Sequence, residues 1–162
     1  MEELAGVRVL VVDDERDTRD VLEMLLRAHG AETRGMGSAA EGLACLRAFH
    51  PHVLVSDLAM PGEDGLVFIQ RVRGLPRAEG GAVPSLALSA HVYNEDRQRA
   101  LAAGFDAFIT KPVPPGALVA CILALLGRAR AERRQGERRR GGHASERAER
   151  RRWQRRRQLQ TC

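Results

Sequence analysis

The chain has 162 residues, and its 26 basic and 21 acidic residues are distributed unevenly. Residues 128–162 contain 14 arginines and four glutamates, a net charge of +10, whereas residues 1–127 have a net charge of −5. We therefore expect a folded domain over residues 1–127. The arginine-rich tail, residues 128–162, has few large apolar side chains and is expected to be disordered or transiently helical.

Composition also excludes several classes of protein. No apolar stretch approaches the roughly 18–20 residues that a membrane span needs. The first six residues contain two glutamates and no basic residue, unlike a secretory signal. The three cysteines are far apart and have no CxxC spacing, which argues against a disulfide scaffold or a zinc site. We expect a cytoplasmic protein that makes no contact with membranes.

The first half of the body alternates between strand and helix patterns. Residues 7–12 form an apolar, β-branched run, which predicts a strand buried on both faces. Apolar residues then recur at helical spacing over residues 18–26, before Gly30. A short strand at residues 32–36 precedes a helix that opens with a Ser38–Glu41 capping box.

The second half continues the alternation. A strand at residues 53–56 ends at Asp57 and leads through a proline- and glycine-rich loop into a helix over residues 66–72. Residues 84–88 predict the fourth strand, residues 94–103 a polar helix, and residues 105–109 the fifth strand. The last helix is predicted to begin at Pro114 and Pro115 and to end at Gly127.

Five strands that alternate with five helices predict an α/β fold. The expected architecture is a doubly wound, five-stranded parallel sheet with helices on both faces and right-handed crossovers. Ligands of such folds bind beyond the carboxyl ends of the strands. The residues that follow each strand are therefore the candidates for a functional site.

Charged and polar side chains follow four of the five predicted strands. Asp13 and Asp14 end the first strand, Asp57 the third, Ser89 the fourth, and Lys111 the fifth. Two carboxylates about 5 Å apart repel by roughly 3 kcal/mol at an effective dielectric constant of ~20. Such repulsion would be relieved by a cation, and oxygen ligands without histidine or cysteine favour Mg²⁺.

Lys111 is unusual in this sequence because arginine supplies 25 of the 26 basic residues. The only lysine of the chain therefore stands at a strand end, beside the predicted acidic site. Its ammonium is a compact point charge, which differs from the planar fork of a guanidinium. This choice of residue supports a functional role for Lys111.

These strand ends together resemble the receiver domain of two-component response regulators. The shared pattern comprises the acid pair, Asp57 followed by Met60-Pro61-Gly62, Ser89-Ala90, and Lys111-Pro112. The resemblance covers about residues 5–127 and implies a flavodoxin-like strand order of 2-1-3-4-5. It implies a signalling protein rather than an enzyme.

The resemblance assigns the acceptor and the metal ligands. Asp57 would accept a phosphoryl group from a histidine kinase or a phosphotransfer protein, as a carboxylate nucleophile can. Asp13, Asp14, Asp57 and the backbone carbonyl of Ala59 would bind Mg²⁺. An output protein would then read the phosphorylated state.

The resemblance also assigns the residues that respond to phosphorylation. Lys111 would bind a phosphoryl oxygen and give up any ion pair with Asp57, and Ser89 would hydrogen-bond the phosphate. Phe108 occupies the position of the aromatic switch, and the bond before Pro112 would be cis. The signal would leave through the face formed by the fourth helix, fifth strand and fifth helix.

Two other functions stay open from the sequence. A haloacid-dehalogenase-type Mg²⁺ phosphohydrolase also phosphorylates an aspartate, but it needs a second acid two residues later, where this chain has Ala59. A basic-tailed, nucleic-acid-associated regulator is the other alternative, since the tail could contact nucleic acid or an acidic partner weakly through charge.

Overall fold

The computed structural model describes the backbone of residues 2–158 and the side chains of residues 2–139. Five strands and five helices alternate along it. The strands are β1 (Arg8–Val12), β2 (Glu32–Met36), β3 (Val53–Asp57), β4 (Ser85–Ser89) and β5 (Ala107–Thr110). The helices are α1 (Arg16–Ala28), α2 (Ala39–Phe49), α3 (Gly65–Arg73), α4 (Asn94–Ala103) and α5 (Pro115–Gln158), with a 3₁₀ turn at Arg77–Glu79.

All five strands are parallel and form one sheet in the order β2-β1-β3-β4-β5. The predicted fold class and strand order are therefore confirmed. The chain begins in the middle of the sheet, adds β2 on one side, and then returns past β1 to add β3, β4 and β5. The direction of winding reverses between β1 and β3, which is where α/β sheets place their ligands.

The sheet is covered on both faces because successive side chains of a strand point to opposite sides. Val9 of β1 packs in a cluster with Leu26 of α1 and Leu118 of α5. Its neighbour Leu10 packs in a second cluster on the other face, with Phe68 of α3. The continuous apolar run predicted for the first strand thus supplies both cores.

Strand boundaries differ from the sequence-based ones by one or two residues. The fourth strand begins at Ser85 rather than at Pro84, because proline has no N–H to donate to a neighbouring strand. The fifth strand begins at Ala107 rather than at Phe105. Phe105 is buried in the loop that precedes β5, so its apolar side chain belongs to the core without belonging to the sheet.

The helix end predicted at Gly127 is wrong, because α5 continues to Gln158. A glycine inside a helix costs only about 1 kcal/mol relative to alanine. The alanines, glutamates and arginines that follow are good helix formers, so they offset this cost.

The chain divides into a compact unit up to Leu126 and a second unit from Gly127. No helix in the part of the chain that the structure describes is both long and apolar enough to cross a membrane.

Candidate functional site

Three charged residues meet at the carboxyl edge of the sheet. Asp13 directly follows β1, Asp57 is the last residue of β3, and Lys111 directly follows β5. Because these strands are parallel, their ends lie at the same edge. Residues that are up to 98 positions apart in the chain therefore come within contact distance.

Lys111 bridges the two buried carboxylates. Its Nζ lies 3.1 Å from Oδ2 of Asp13 and 3.3 Å from Oδ1 of Asp57. The Asp13 side chain is 1% exposed, that of Asp57 8% and that of Lys111 21%, so the pairs are largely shielded from solvent. The resemblance implied only the contact with Asp57, and the bridge to Asp13 is an addition from the structure.

Asp13 is fixed by the first turn of α1. The backbone N–H of Glu15 donates to Oδ1 of Asp13 at 2.9 Å. The Arg19 guanidinium donates to the backbone carbonyl of Asp13 at 2.6 Å. Sequence reasoning missed Arg19. The available signal was its place in the first turns of α1, because helical side chains point back towards the N-terminus of their helix.

Asp57 is held by the loop between β3 and α3. The backbone N–H of Ala59 donates a hydrogen bond to its carboxylate. Gly65, the first residue of α3, lies against the backbone at the strand end, where an added Cβ would overlap the Asp57 carbonyl oxygen and stand 2.8 Å from Cα of Leu58. The helix can approach the loop after β3 this closely only because this position has no side chain.

The site contains more negative than positive charge. Burial raises the pKa of the Asp57 carboxyl, and the Asp13 charge adds to the rise, although the Lys111 ammonium and the Ala59 N–H act against it. Burial by itself would lower the pKa of Lys111, but hydrogen bonds and charges from Asp13 and Asp57 raise it overall. The ammonium thus stays charged at neutral pH, and Asp57 ionises less readily than an ordinary aspartate.

Asp14 completes an acidic cluster with Asp13 and Asp57. One carboxylate oxygen from each of the three lies within 4.8 Å of the other two. Asp13 and Asp57 are buried, whereas Asp14 is exposed, so the cluster opens to solvent on one side. Three carboxylates against one ammonium leave two negative charges. The oxygen donors and this charge fit a hard divalent cation such as Mg²⁺.

Ser89, Phe108 and Pro112 lie around the same strand ends. Ser89 is buried at the end of β4, and its Oγ accepts a hydrogen bond from the backbone N–H of His91 at 3.1 Å. Phe108 packs partly against the core and lines a cavity of about 460 Å³ with residues of α4 and α5. The Lys111–Pro112 peptide bond is cis, which is the isomer that the resemblance implies.

Comparison with known proteins places the sequence in one family. The model of the response regulator receiver domain matches residues 9–123. An uncharacterized 14.6 kDa protein of Leptolyngbya boryana is 45% identical over 122 residues, which are 75% of this chain and 92% of that protein. The DNA-binding response regulator MtrA of Mycolicibacterium paratuberculosis is 35% identical over 121 residues, and the chain spans only about half of its length, 52%.

Solved structures agree with the sequence comparison. The chemotaxis protein CheY4 of Vibrio cholerae superposes with a TM-score of 0.69 at 27% identity, covering 75% of this chain and 99% of that one. A CheY-like receiver domain protein of Methanospirillum hungatei gives a TM-score of 0.70 at 26% identity, covering 78% and 98%. The chain therefore belongs to the response regulator receiver domain family, whose members act in phosphorelay signal transduction.

Proposed function

We propose that Asp57 accepts a phosphoryl group from a phosphohistidine of a histidine kinase or a phosphotransfer protein. The observation that carries this proposal is the buried Asp57 carboxylate at a strand end, 3.3 Å from the only lysine of the chain. The donor's phosphoryl group ultimately comes from ATP, so the proposal places the protein in the cytoplasm. The chain would act as a signalling protein rather than as an enzyme.

The transfer is a displacement at phosphorus. An Oδ atom of Asp57 attacks, the new O–P bond forms, and the P–N bond to the donor imidazole breaks. The imidazole leaves with the electron pair of that bond and takes up a proton. Such reactions depend mainly on alignment and on neutralising the charge of the phosphoryl oxygens. The Ala59 N–H and the close approach of Gly65 hold the Asp57 backbone and carboxylate in place for the attack.

Asp13, Asp14, Asp57 and the backbone carbonyl of Ala59 would hold Mg²⁺. When bound, this ion would supply the positive charge that neutralises the phosphoryl oxygens. Lys111 supplies the other positive charge. Its Nζ, held between two carboxylates in this structure, would exchange Asp57 for a phosphoryl oxygen once that carboxylate is esterified.

The change of partner at Lys111 and Ser89 would carry the signal. Ser89 Oγ now binds the His91 N–H and would turn towards the phosphoryl group. Phe108 lies one strand away and lines the cavity with Tyr93 of the loop before α4 and Ala117 of α5. A shift of Phe108 would therefore reshape the face of α4, β5 and α5, which we propose an output protein reads.

A phosphohydrolase of the haloacid-dehalogenase type is disfavoured at the same site. Such an enzyme needs a general acid two residues after its nucleophile, and Ala59 contributes only its backbone there. Ala59 is exposed and offers no side-chain proton donor. Turnover of a phosphate monoester by the unmodified protein would favour this alternative over a receiver.

Intact-mass spectrometry after incubation with acetyl phosphate and Mg²⁺ tests the proposal. We expect one phosphoryl adduct on the wild type, none on Asp57→Asn, and none on the wild type when EDTA removes the metal. Asp20→Asn is the matched control, because this exposed carboxylate of α1 lies outside the acidic cluster. An adduct that persists in Asp57→Asn would disprove the assignment of the acceptor.

A further inference from the structure

The part of the molecule that the receiver function leaves unused is the arginine-rich extension of α5. Residues 128–158 are helical and contain all 14 arginines of the tail. At a rise of 1.5 Å per residue, these 31 residues form a rod about 46 Å long. The body has a net charge of −5, so the excess positive charge of the chain lies in this extension.

The arginines whose side chains are described point into solvent. Arg128, Arg130, Arg133, Arg134, Arg138 and Arg139 are all exposed. Within residues 128–139, no side chain forms an ion pair with any carboxylate that the structure describes. Glu132 and Glu137 form no ion pair with the arginines whose side chains the structure describes, and these guanidinium groups face solvent.

The basic positions lie on several sides of the helix instead of forming one stripe. At about 100° per residue, the six arginines between residues 128 and 139 are spread over about two-thirds of the circumference. A flat anionic surface can pair with only one side of such a rod. A groove with phosphates on both walls can pair with several sides at once, and the major groove of B-DNA, about 12 Å wide, admits an α-helix.

The composition favours DNA over the other polyanions. A helix that lies on a membrane needs an apolar face, and Trp153 is the only large apolar residue between residues 128 and 158. The major groove of duplex RNA is deep and narrow, so a helix enters it less readily than the wide major groove of B-DNA. Arginine rather than lysine suits phosphates, because its guanidinium donates in a planar fork. We infer that residues 128–158 form a sequence-independent binding arm for duplex DNA.

Fluorescence anisotropy with a labelled 25-base-pair duplex tests this inference on the full-length protein. If about half of the 14 arginines contact phosphates, the logarithm of the binding constant should fall with the logarithm of salt concentration with a slope of about −6. The affinity should then fall by about 10³-fold or more between 50 and 200 mM salt. Unphosphorylated protein suffices, so failure here would leave the phosphoryl-acceptor proposal intact.

Two triple variants with equal net charge locate the binding site. Arg134→Gln/Arg138→Gln/Arg139→Gln removes three charges from the arm, and Arg16→Gln/Arg47→Gln/Arg77→Gln removes three exposed charges from the body. We expect the arm variant to lose at least tenfold in affinity and to flatten the slope by up to about 3. The body variant should bind within about twofold of the wild type. Equal losses in both variants would show a net-charge effect and overturn the inference.

Competing polyanions decide between the classes of partner. The same protein is titrated with duplex RNA of the same sequence, with vesicles that contain phosphatidylglycerol, and with polyglutamate. Duplex DNA should bind most tightly at equal concentrations of negative charge. Tighter binding of RNA would overturn the groove argument, and tighter binding of vesicles or polyglutamate would assign the arm to a membrane or an acidic protein. Absence of salt-dependent binding to any of them would leave the arm without a polyanion partner.

Discussion

Lys111 shows how one side chain sets the charge balance of the acidic edge. It pairs with Asp13 and Asp57 together, yet burial still keeps the pKa of the Asp57 carboxyl above its ordinary value. One ammonium is therefore insufficient compensation for two buried carboxylates and a third exposed one. The shortage of positive charge that makes the site fit a divalent cation must also lower the stability of the metal-free fold.

Asp57→Asn should therefore stabilise the metal-free protein at pH 7. Between the unfolded pKa, about 3.9, and the raised folded pKa, the native state binds more protons than the unfolded state, so stability falls as pH rises. Asparagine removes this loss, and we expect a gain on the order of 1 kcal/mol. The gain should shrink as pH falls through the folded pKa and vanish below about 3.9. Urea unfolding in EDTA at several pH values measures it.

Asp20→Asn controls for the loss of a carboxylate in general. Its side chain is 59% exposed and pairs only loosely with Arg16, at 3.7 Å. We expect a change within about 0.5 kcal/mol at every pH. If Asp57→Asn were instead less stable than the wild type at pH 7, the ion pair with Lys111 would outweigh the burial of Asp57.

Arg73 has a structural role that the sequence did not reveal. Its guanidinium, at the end of α3, donates to the carbonyls of Gly81, Val83 and Gly104, to Ser85 Oγ and to Asp106. Arg73→Met should cost about 2–3 kcal/mol, because these acceptors lose a charged donor. Arg71→Met removes a neighbouring arginine that pairs with Glu63 near the surface, and should cost at most about 1 kcal/mol. Equal unfolding midpoints for the two variants would contradict the role of Arg73.

At the level of elements, the strands were predictable and the last helix was not. Apolar runs identify strands because a buried strand has no polar face, and the residue after each run locates the site. The position of a helix end depends on smaller free-energy differences than the burial of a strand does. Glycine often ends a helix, but α5 continues past Gly127 because nothing else in the neighbouring sequence ends a helix. The strand order itself came from the family resemblance rather than from periodicity.

Substitutions at Gly136 test whether the extension of α5 is helical in solution. An added Cβ at Gly136 would meet no atom outside its own helical turns within 4 Å, so its effects are confined to the helix itself. Gly136→Pro should reduce ellipticity at 222 nm, since proline costs about 3 kcal/mol inside a helix, and Gly136→Ala should increase it by gaining about 1 kcal/mol. Both variants should leave the melting of the body unchanged. Identical ellipticity in both would show that this segment is not helical.

The candidate site was predictable to the extent that strand ends define it. Asp13, Asp57 and Lys111 each follow an apolar run, so parallel pairing alone brings them to one edge. The contacts of Arg19 with the Asp13 carbonyl and of Ala59 with Asp57 were not predictable. They depend on the direction of a side chain and on the course of a loop, neither of which leaves a periodic pattern in the sequence.

At the level of the whole molecule, the acidic edge joins the two cores. β1 and β3 contribute apolar residues to the clusters on both faces of the sheet, and the same two strands end at Asp13 and Asp57. The two strands that carry these carboxylates therefore pack against both layers of helices. Ligands that bind only the native state stabilise the fold by mass action, so a metal bound at this edge would stabilise the whole fold.

Mg²⁺ should consequently raise the thermal stability of the protein. At a concentration of 100 times its Kd, a ligand of the native state adds about 2.7 kcal/mol, which corresponds to a rise in Tm of about 10 °C for a domain of this size. Asp57→Asn should show less than half of this rise, because one buried carboxylate ligand is lost, whereas Asp20→Asn should match the wild type. Differential scanning calorimetry with and without Mg²⁺ measures the shifts. Because protons compete with the metal for Asp57, whose pKa is raised by burial, the rise should also diminish on acidification. Equal shifts in all three proteins would place the metal away from this edge.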